Sequence, residues 1–355
     1  MTMAPTKPEQ LGQPVLTPEP PRFDLITMGL SSIDLYSNDI GAPFEEITSF
    51  AAYVGGSPTN IAVGGRRLGM PTALLTAVGA DKVGDFILHF LEKEGVATSY
   101  IMRKESARST AVLLGIEENR YPLVFYRDNA PDWQLSIGDV LATPIEQARA
   151  LEISGTGLTG TPQAAATMFA AERASNAGVT VFMDLDFRAD QWFDPRAYGV
   201  MVRSVLPRVD VAIGTEEEVN AAMLQDPRDL VVHDSQISAP EIRGDLDANI
   251  AALLEIPEGP VALIVKRGSD GASVHLRSGE VIAVPGFPVE TVNVLGAGDA
   301  FAAGFIYGRL QGWGWYEAAR MGNACGAIVV TRHACANSMA FEQEALDFIA
   351  SHGGF

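Results

Sequence analysis

Gly296-Ala297-Gly298-Asp299-Ala300-Phe301 is the stretch of this chain best suited to chemistry. Two glycines around an alanine let successive backbone N–H groups converge. Helical patterning from Phe301 to Leu310 places that convergence at a helix N-terminus, where partial positive charge receives an anionic oxygen. Asp299 then sits where a phosphoryl group in transfer would lie, and its carboxylate can accept the proton of an attacking hydroxyl. By themselves the same residues read equally as a tight loop with an N-capping aspartate. The chain contains no G-x-x-x-x-G-K-[ST] loop and no H-R-D or D-F-G set, which excludes the Walker and protein-kinase routes to nucleotide chemistry.

A second constellation is Gly55-Gly56-Ser57-Pro58-Thr59-Asn60-Ile61-Ala62, running to Leu68-Gly69. Paired glycines let backbone approach a ligand closely, Ser57-Pro58 opens a helix, and Asn60 on its first turn offers donor and acceptor to a polyol. Without a ligand this is a helix-entry turn, and only its company with the Gly296 to Asp299 run favours a site.

Both constellations need a framework to bring them together. Strands are expected at Asp24 to Gly29, Thr72 to Gly79, Ala150 to Ser154, Val179 to Asp184, Val209 to Ile213 and Val261 to Lys266, with a further strand ahead of Asn293. Helical patterns fall between most of them, at Ser57 to Leu68 and on the stripe Val83, Phe86, Ile87, Phe90, Leu91 that stops at Gly95. This alternation predicts an α/β fold with a doubly wound, mostly parallel sheet flanked by helices. Two regions break it, Ile33 to Ala52 and Ser109 to Arg127, the second with strand-like runs at Ser109 to Ile116 and Tyr121 to Arg127; they predict a small β subdomain. A hairpin is expected at Ala272 to Phe287.

Bulk properties narrow the partners. With 355 residues and 47% hydrophobic content there is ample material for a core. A formal charge of −19 and a pI near 4.6 argue against nucleic acid or an anionic membrane surface. Only Cys325 and Cys335 occur, with no CxxC pair, so both are expected to be ordinary thiols and no structural zinc is expected. Met1 to Pro21 is proline-rich and polar without an apolar h-region and reads as a disordered tail, and no run has the length of a membrane helix; a cytoplasmic protein is expected. Trp133, Trp192, Trp313 and Trp315 are read as packing residues, and His333 is assigned no role.

Gly55-Gly56 with Asn60 and Leu68-Gly69, then Val78-Gly79 with Asp81 and Gly84, and finally Gly296-Ala297-Gly298-Asp299-Ala300-Phe301 resemble, in order and spacing, the two signature regions of the ribokinase-like (PfkB) sugar kinases. The resemblance runs from about Phe23 to the end and implies one kinase domain over residues 22–355. It implies ATP as phosphoryl donor, Mg2+ as cofactor and a small sugar or sugar acid as acceptor. Asp299 matches the catalytic base, Gly296, Ala297 and Gly298 the anion hole, and Asp34, Gly56 and Asn60 the residues that bind sugar hydroxyls. Thr215-Glu216-Glu217-Glu218 stands at the family's Asn-x-x-Glu motif; the Asn is Thr here, so Glu218 alone carries over, acting on magnesium through water. On residue types alone that run is an acidic first turn complementing a helix dipole. Lys266, Gly268 and Gly271 match the turn along the nucleotide, and Asn323 falls in the helix flanking the adenine. Asn293 stands where ribokinase has an aspartate, which weakens any monovalent cation site.

By the same resemblance, segments 33–52 and 109–127 form a lid that covers the sugar and pairs two copies into a homodimer. Arg127 lies on that lid, and Arg188 ends Asp184-Leu185-Asp186-Phe187-Arg188, where many relatives have Asp-x-Asn-x-Arg. Arginine forks suit carboxylates, so the pair favours a sugar acid over a neutral hexose, while each residue alone reads as a structural ion pair. 2-Keto-3-deoxygluconate and fructose remain alternative acceptors, and a sugar or nucleotide sensor without turnover is the reading from another class.

Overall fold

The computed structural model describes residues 22–117, 120–232 and 240–355; the tail expected at 1–21 lies outside them. In chain order the strands are β1 (Phe23–Met28), β2 (Ser32–Ser37), β3 (Phe50–Gly55), β4 (Thr72–Gly79), β5 (Ile101–Lys104), β6 (Thr110–Leu114), β7 (Leu123–Tyr126), β8 (Ala148–Ser154), β9 (Thr180–Asp184), β10 (Val211–Thr215), β11 (Leu230–Val231), β12 (Glu241–Ile242), β13 (Ala262–Lys266), β14 (Ala272–Leu276) and β15 (Val281–Val284). The α-helices are α1 (Ser57–Arg67), α2 (Lys82–Glu94), α3 (Ile137–Leu141), α4 (Gln163–Asn176), α5 (Arg196–Val205), α6 (Glu216–Ala222), α7 (Leu246–Leu254), α8 (Ala297–Leu310), α9 (Trp315–Val330) and α10 (Glu342–Ser351).

Nine strands form one sheet in the order β15-β14-β13-β10-β9-β8-β1-β4-β5. From β13 to β5 all neighbours are parallel, and β14 and β15 add an antiparallel edge. Helices on both faces explain why β4 is buried along its whole length and reads as one apolar run. Leu25, Leu74, Phe182 and Ile264 face one core, with residues of α1, α2, α8, α9 and α10. Ile26, Leu75, Met183 and Leu263 face the other, with residues of α3 to α7. Chain order reverses at β1, flanked by β4 and β8, so the crevice at the carboxyl ends there is where a ligand is received.

A four-stranded sheet, β3-β2-β6-β7, projects from this layer and matches the expected β subdomain. Asp34 pairs with Tyr53 on β3 and Val112 on β6, so the three side chains share one face. Local signals set the flanking helices. Asp81 caps α2 by accepting from the Gly84 amide at 2.8 Å, and Gly95 ends that helix in the left-handed conformation.

The expected hairpin from Ala272 is present as β14 and β15, but the strand expected ahead of Asn293 is not. β15 ends at Val284, and residues 285–296 cross to α8 as irregular backbone. Pro285 and Pro288 remove two ladder donors from that segment. Its Val292 and Asn293 amides donate to the Val330 carbonyl instead, at 2.8 and 3.1 Å. Helix α8 also begins earlier than the expected Phe301, at Ala297, so the small residues of the motif are its first turn. Among the described residues no helix is long and apolar enough to cross a membrane.

Candidate active site

The carboxyl ends of β8, β9, β10 and β13, the N-terminus of α8 and the inner face of β2 close on one crevice. Gly296 caps α8 with φ 78°, a conformation that favours glycine. Ala297, Gly298 and Asp299 follow as its first three residues, whose amides have no acceptor within the helix. A Cβ added to Gly298 would stand 3.1 Å from Lys266 Nζ, so backbone amides and an ammonium face the same small space. That cradle fits an anionic oxygen, and a side chain at residue 298 would fill it.

Lys266 ends β13 and lies 3.1 Å from an Asp184 carboxylate oxygen and 3.9 Å from Glu218 Oε2. Burial works against its charge, but Asp184 and Glu218 outweigh burial and hold its pKa above the ordinary lysine range. Glu218 also accepts from the Thr215 amide at 2.7 Å, while Thr215 Oγ1 accepts from the Glu218 amide at 3.2 Å. The threonine at the family's asparagine position therefore completes a capping box. Among the described residues no three His, Cys, Asp or Glu side chains assemble into a metal cage. A magnesium ion held mainly by phosphates and water would require none.

Asp299 accepts a hydrogen bond from Asn60 Nδ2 at 2.6 Å, which joins the two sequence constellations. Burial raises its pKa, the Asn60 bond partly opposes this, and Asp186 adds to the rise. Asp34 accepts from Ser32 Oγ at 2.6 Å and packs flat on Gly55, where an added Cβ would be 1.9 Å from its Oδ2. Gly56 has φ 98°, and a Cβ there would lie 2.4 Å from the Leu30 carbonyl. Both glycines are thus required by close approach. Burial, eased by Ser32 and reinforced by Asp299, pushes the Asp34 carboxyl up to about 7.

The two arginines differ. Arg188 Nε donates to Asp186 Oδ1 at 2.9 Å, and the side chain keeps 30% of its surface exposed. Asp186 itself has φ 34° and accepts from Ser154 Oγ at 3.0 Å and Thr156 Oγ1 at 3.1 Å. Burial disfavours its charge, yet Arg188 and then Ser154 hold its pKa below the usual carboxylate range. Arg127 is only 5% exposed: it donates to Asp132 at 2.5 Å and to Gln191, and lies over the Trp133 ring.

The crevice thus unites Asp299, Gly296, Ala297, Gly298, Lys266, Glu218, Asp34, Gly56, Asn60 and Arg188, whereas Arg127 sits in an adjoining buried cluster. Gly268 and Gly271, with φ 55° and 95°, shape the turn after β13. Asn323 donates its amide to the Val284 and Pro285 carbonyls at 3.1 and 3.0 Å, beside that turn.

Sequence reasoning missed several neighbours. Ser154 and Thr156, which bond Asp186, were detectable as hydroxyl residues at the carboxyl end of a strand. Cys335 packs behind Gly296 and touches the Tyr36 hydroxyl of β2. Burial raises its thiol pKa well above normal, in keeping with an unreactive thiol. His333 reaches the Tyr53 hydroxyl at 3.4 Å. Glu152 on β8 is buried with neither carboxyl oxygen bonded, and burial first and then Asp184 and Asp299 push its pKa far up. Nothing in local sequence announces these three.

Comparisons with known proteins identify the family. Residues 23–341 match the pfkB family carbohydrate kinases. The chain is 36% identical to a 5-dehydro-2-deoxygluconokinase of Geobacillus thermodenitrificans, over 89% of this chain and 90% of that protein. It is 31% identical to one of Clostridium tetani, over 92% and 93%. An E. coli structure described as ribokinase II, solved with ATP and Mg2+, superposes with a TM-score of 0.80 at 26% identity, covering 93% of this chain and 99% of that one. Sheet order, site geometry and sequence agree that this chain belongs to the pfkB family of carbohydrate kinases.

Proposed function

We propose that this kinase transfers the γ-phosphoryl group of ATP to the 6-hydroxyl of 5-dehydro-2-deoxy-D-gluconate, a step of myo-inositol catabolism. One observation carries the reading: Asp299, oriented by Asn60 at 2.6 Å, stands on the first turn of the helix whose N-terminus faces Lys266. A carboxylate there takes the proton as the hydroxyl oxygen forms its bond to phosphorus and the bond from phosphorus to the ADP oxygen breaks. The amides from Gly296 to Asp299 and the Lys266 ammonium hold the charge on the transferring group. Asp34, Gly56 and Asn60 hold the sugar hydroxyls, and Arg188 pairs with the carboxylate. Magnesium supplies charge neutralisation on the phosphates, with Glu218 ordering its water and Asp184 nearby. Lys266 and the Gly268 to Gly271 turn lie along the nucleotide, beside the helix carrying Asn323.

Support for this acceptor comes from the relatives' name and from an arginine anchored in the crevice. The test is ADP release with ATP and magnesium, comparing this sugar acid with 2-keto-3-deoxygluconate, fructose and ribose. The expected kcat/KM advantage is about a hundredfold, or roughly 2.7 kcal/mol of transition-state discrimination. A different winner would leave the phosphoryl transfer standing and remove the acceptor. Repeating the assay in choline instead of potassium salts should leave the rate unchanged, because Asn293 has no charge to hold a cation; strong potassium activation would refute that point.

The small sheet acts as a lid over the acceptor, and its outer face exposes Val124 and Tyr126. We propose that this face pairs with a second copy. Mass measurement in solution should return a dimer that Tyr126→Glu dissociates; a monomeric wild type would sink the idea.

A further inference from the structure

The irregular strip that follows β15 is gripped by one face of α9. Asn323 donates to Val284 and Pro285. One turn earlier, the buried Arg320 donates through Nη1 to the Pro285 carbonyl at 2.8 Å and to Gly286 at 3.5 Å. Its Nη2 reaches the His352 carbonyl at 3.3 Å and its Nε the Gly354 carbonyl at 3.4 Å. The guanidinium lies 3.6 Å from the centre of the Phe287 ring, which meets Phe348 and His352 edge-on at 5.0 and 5.7 Å.

On its other side the strip meets the turn after β13 with no room for side chains. A Cβ on Gly271 would be 2.2 Å from the Val284 carbonyl, and one on Gly286 would be 2.2 Å from the Ser269 carbonyl. The Gly286 amide donates to the Asp270 carbonyl at 3.3 Å. Helix, strip and turn are therefore three layers in direct contact, and a shift of the middle one must move the turn.

We propose that Arg320 is a positioning residue for the nucleotide: through Pro285 and Gly286 it sets the Gly268 to Gly271 turn, and it fastens that wall to the C-terminal residues His352 and Gly354. The proposal rests on the reading of that turn as the nucleotide's wall. A planar fork of five donors can hold carbonyls from two separate segments in one plane, and a lysine ammonium cannot. Burying a guanidinium is tolerable only while those acceptors stay in place, which makes the grip rigid.

The test compares Arg320→Lys, and a chain ending at Ser351, with wild type. ATP dissociation constants are measured without acceptor, alongside kcat and both KM values. Arg320→Lys should weaken ATP binding and raise its KM about tenfold, or about 1.4 kcal/mol. Acceptor KM and kcat should stay within about twofold, a split that general loosening of the fold would not produce. The shortened chain, which loses the His352 and Gly354 carbonyls but keeps Pro285, should show a smaller rise in the same sense, and it decides the matter if the lysine variant does not fold. Unchanged ATP affinity in the folded variants, with only a lower Tm, overturns the role of Arg320. A wild type that fails to bind ATP overturns the nucleotide reading as well.

Discussion

Asp299→Asn should lower kcat by a factor of about 10² to 10⁴, the range that a positioned general base contributes. The amide keeps the shape of the carboxylate, and its oxygen can still accept from Asn60 Nδ2, so both KM values should change little. What is lost is the group that receives the proton. In the wild type the base must be ionised, and burial raises the Asp299 pKa above the ordinary carboxylate range. The rate should therefore fall as pH drops through a pKa higher than that of a free aspartate. Asp34, pushed up to about 7, takes up its proton near neutrality, so kcat/KM should still be climbing there. In the Asn variant the remaining activity should lose the kcat limb that belongs to Asp299. Stopped assays of ADP across the pH range measure both effects, and a variant within a few-fold of wild type would remove Asp299 from the mechanism.

The second large effect concerns choice of acceptor. Arg188→Leu should reduce kcat/KM for the sugar acid by about 30- to 1,000-fold, corresponding to about 2–4 kcal/mol for truncating one partner of a desolvated charge pair. Activity on fructose should fall much less, because a neutral acceptor brings no carboxylate. Arg127→Leu is the contrast. Its guanidinium is committed to Asp132 and Gln191 in a buried cluster, so breaking that pair should cost about 3–5 kcal/mol of stability without changing the preference for acid over neutral sugar. If the two variants lose acid and fructose activity in the same ratio, neither arginine reads the carboxylate.

The contrast between these arginines shows the limit of what residue order can reveal. On the chain, Arg127 and Arg188 look equivalent: each follows a strand and each suits an anion. Their difference arises from distant contacts: Arg127 reaches Gln191 and the Thr156 carbonyl, whereas Arg188 pairs with Asp186, which Ser154 and Thr156 hold from about thirty positions back.

The features legible in the chain by itself were those with a local cause. Runs buried on both faces, as in β4, announce a parallel sheet. Gly296 to Asp299 announces a helix start with amides free of intrahelical acceptors, because glycine conformation and the first-turn amides are properties of a few adjacent residues. Gly55-Gly56 with Asn60 was readable for the same reason. Only the tertiary structure decided that Asn60 would hold Asp299, 239 positions away, that Lys266 would face Gly298, and that Glu152 would be buried with its carboxyl oxygens unbonded. Each of these depends on strand order and on which helix covers which face. The irregular path after Val284 belongs to the same class: the prolines of that segment weaken a strand locally, but its actual course is set by the grip of Arg320 and Asn323 from a helix later in the chain. A charge or an amide acquires its role from what burial places beside it, and burial is a property of the whole fold.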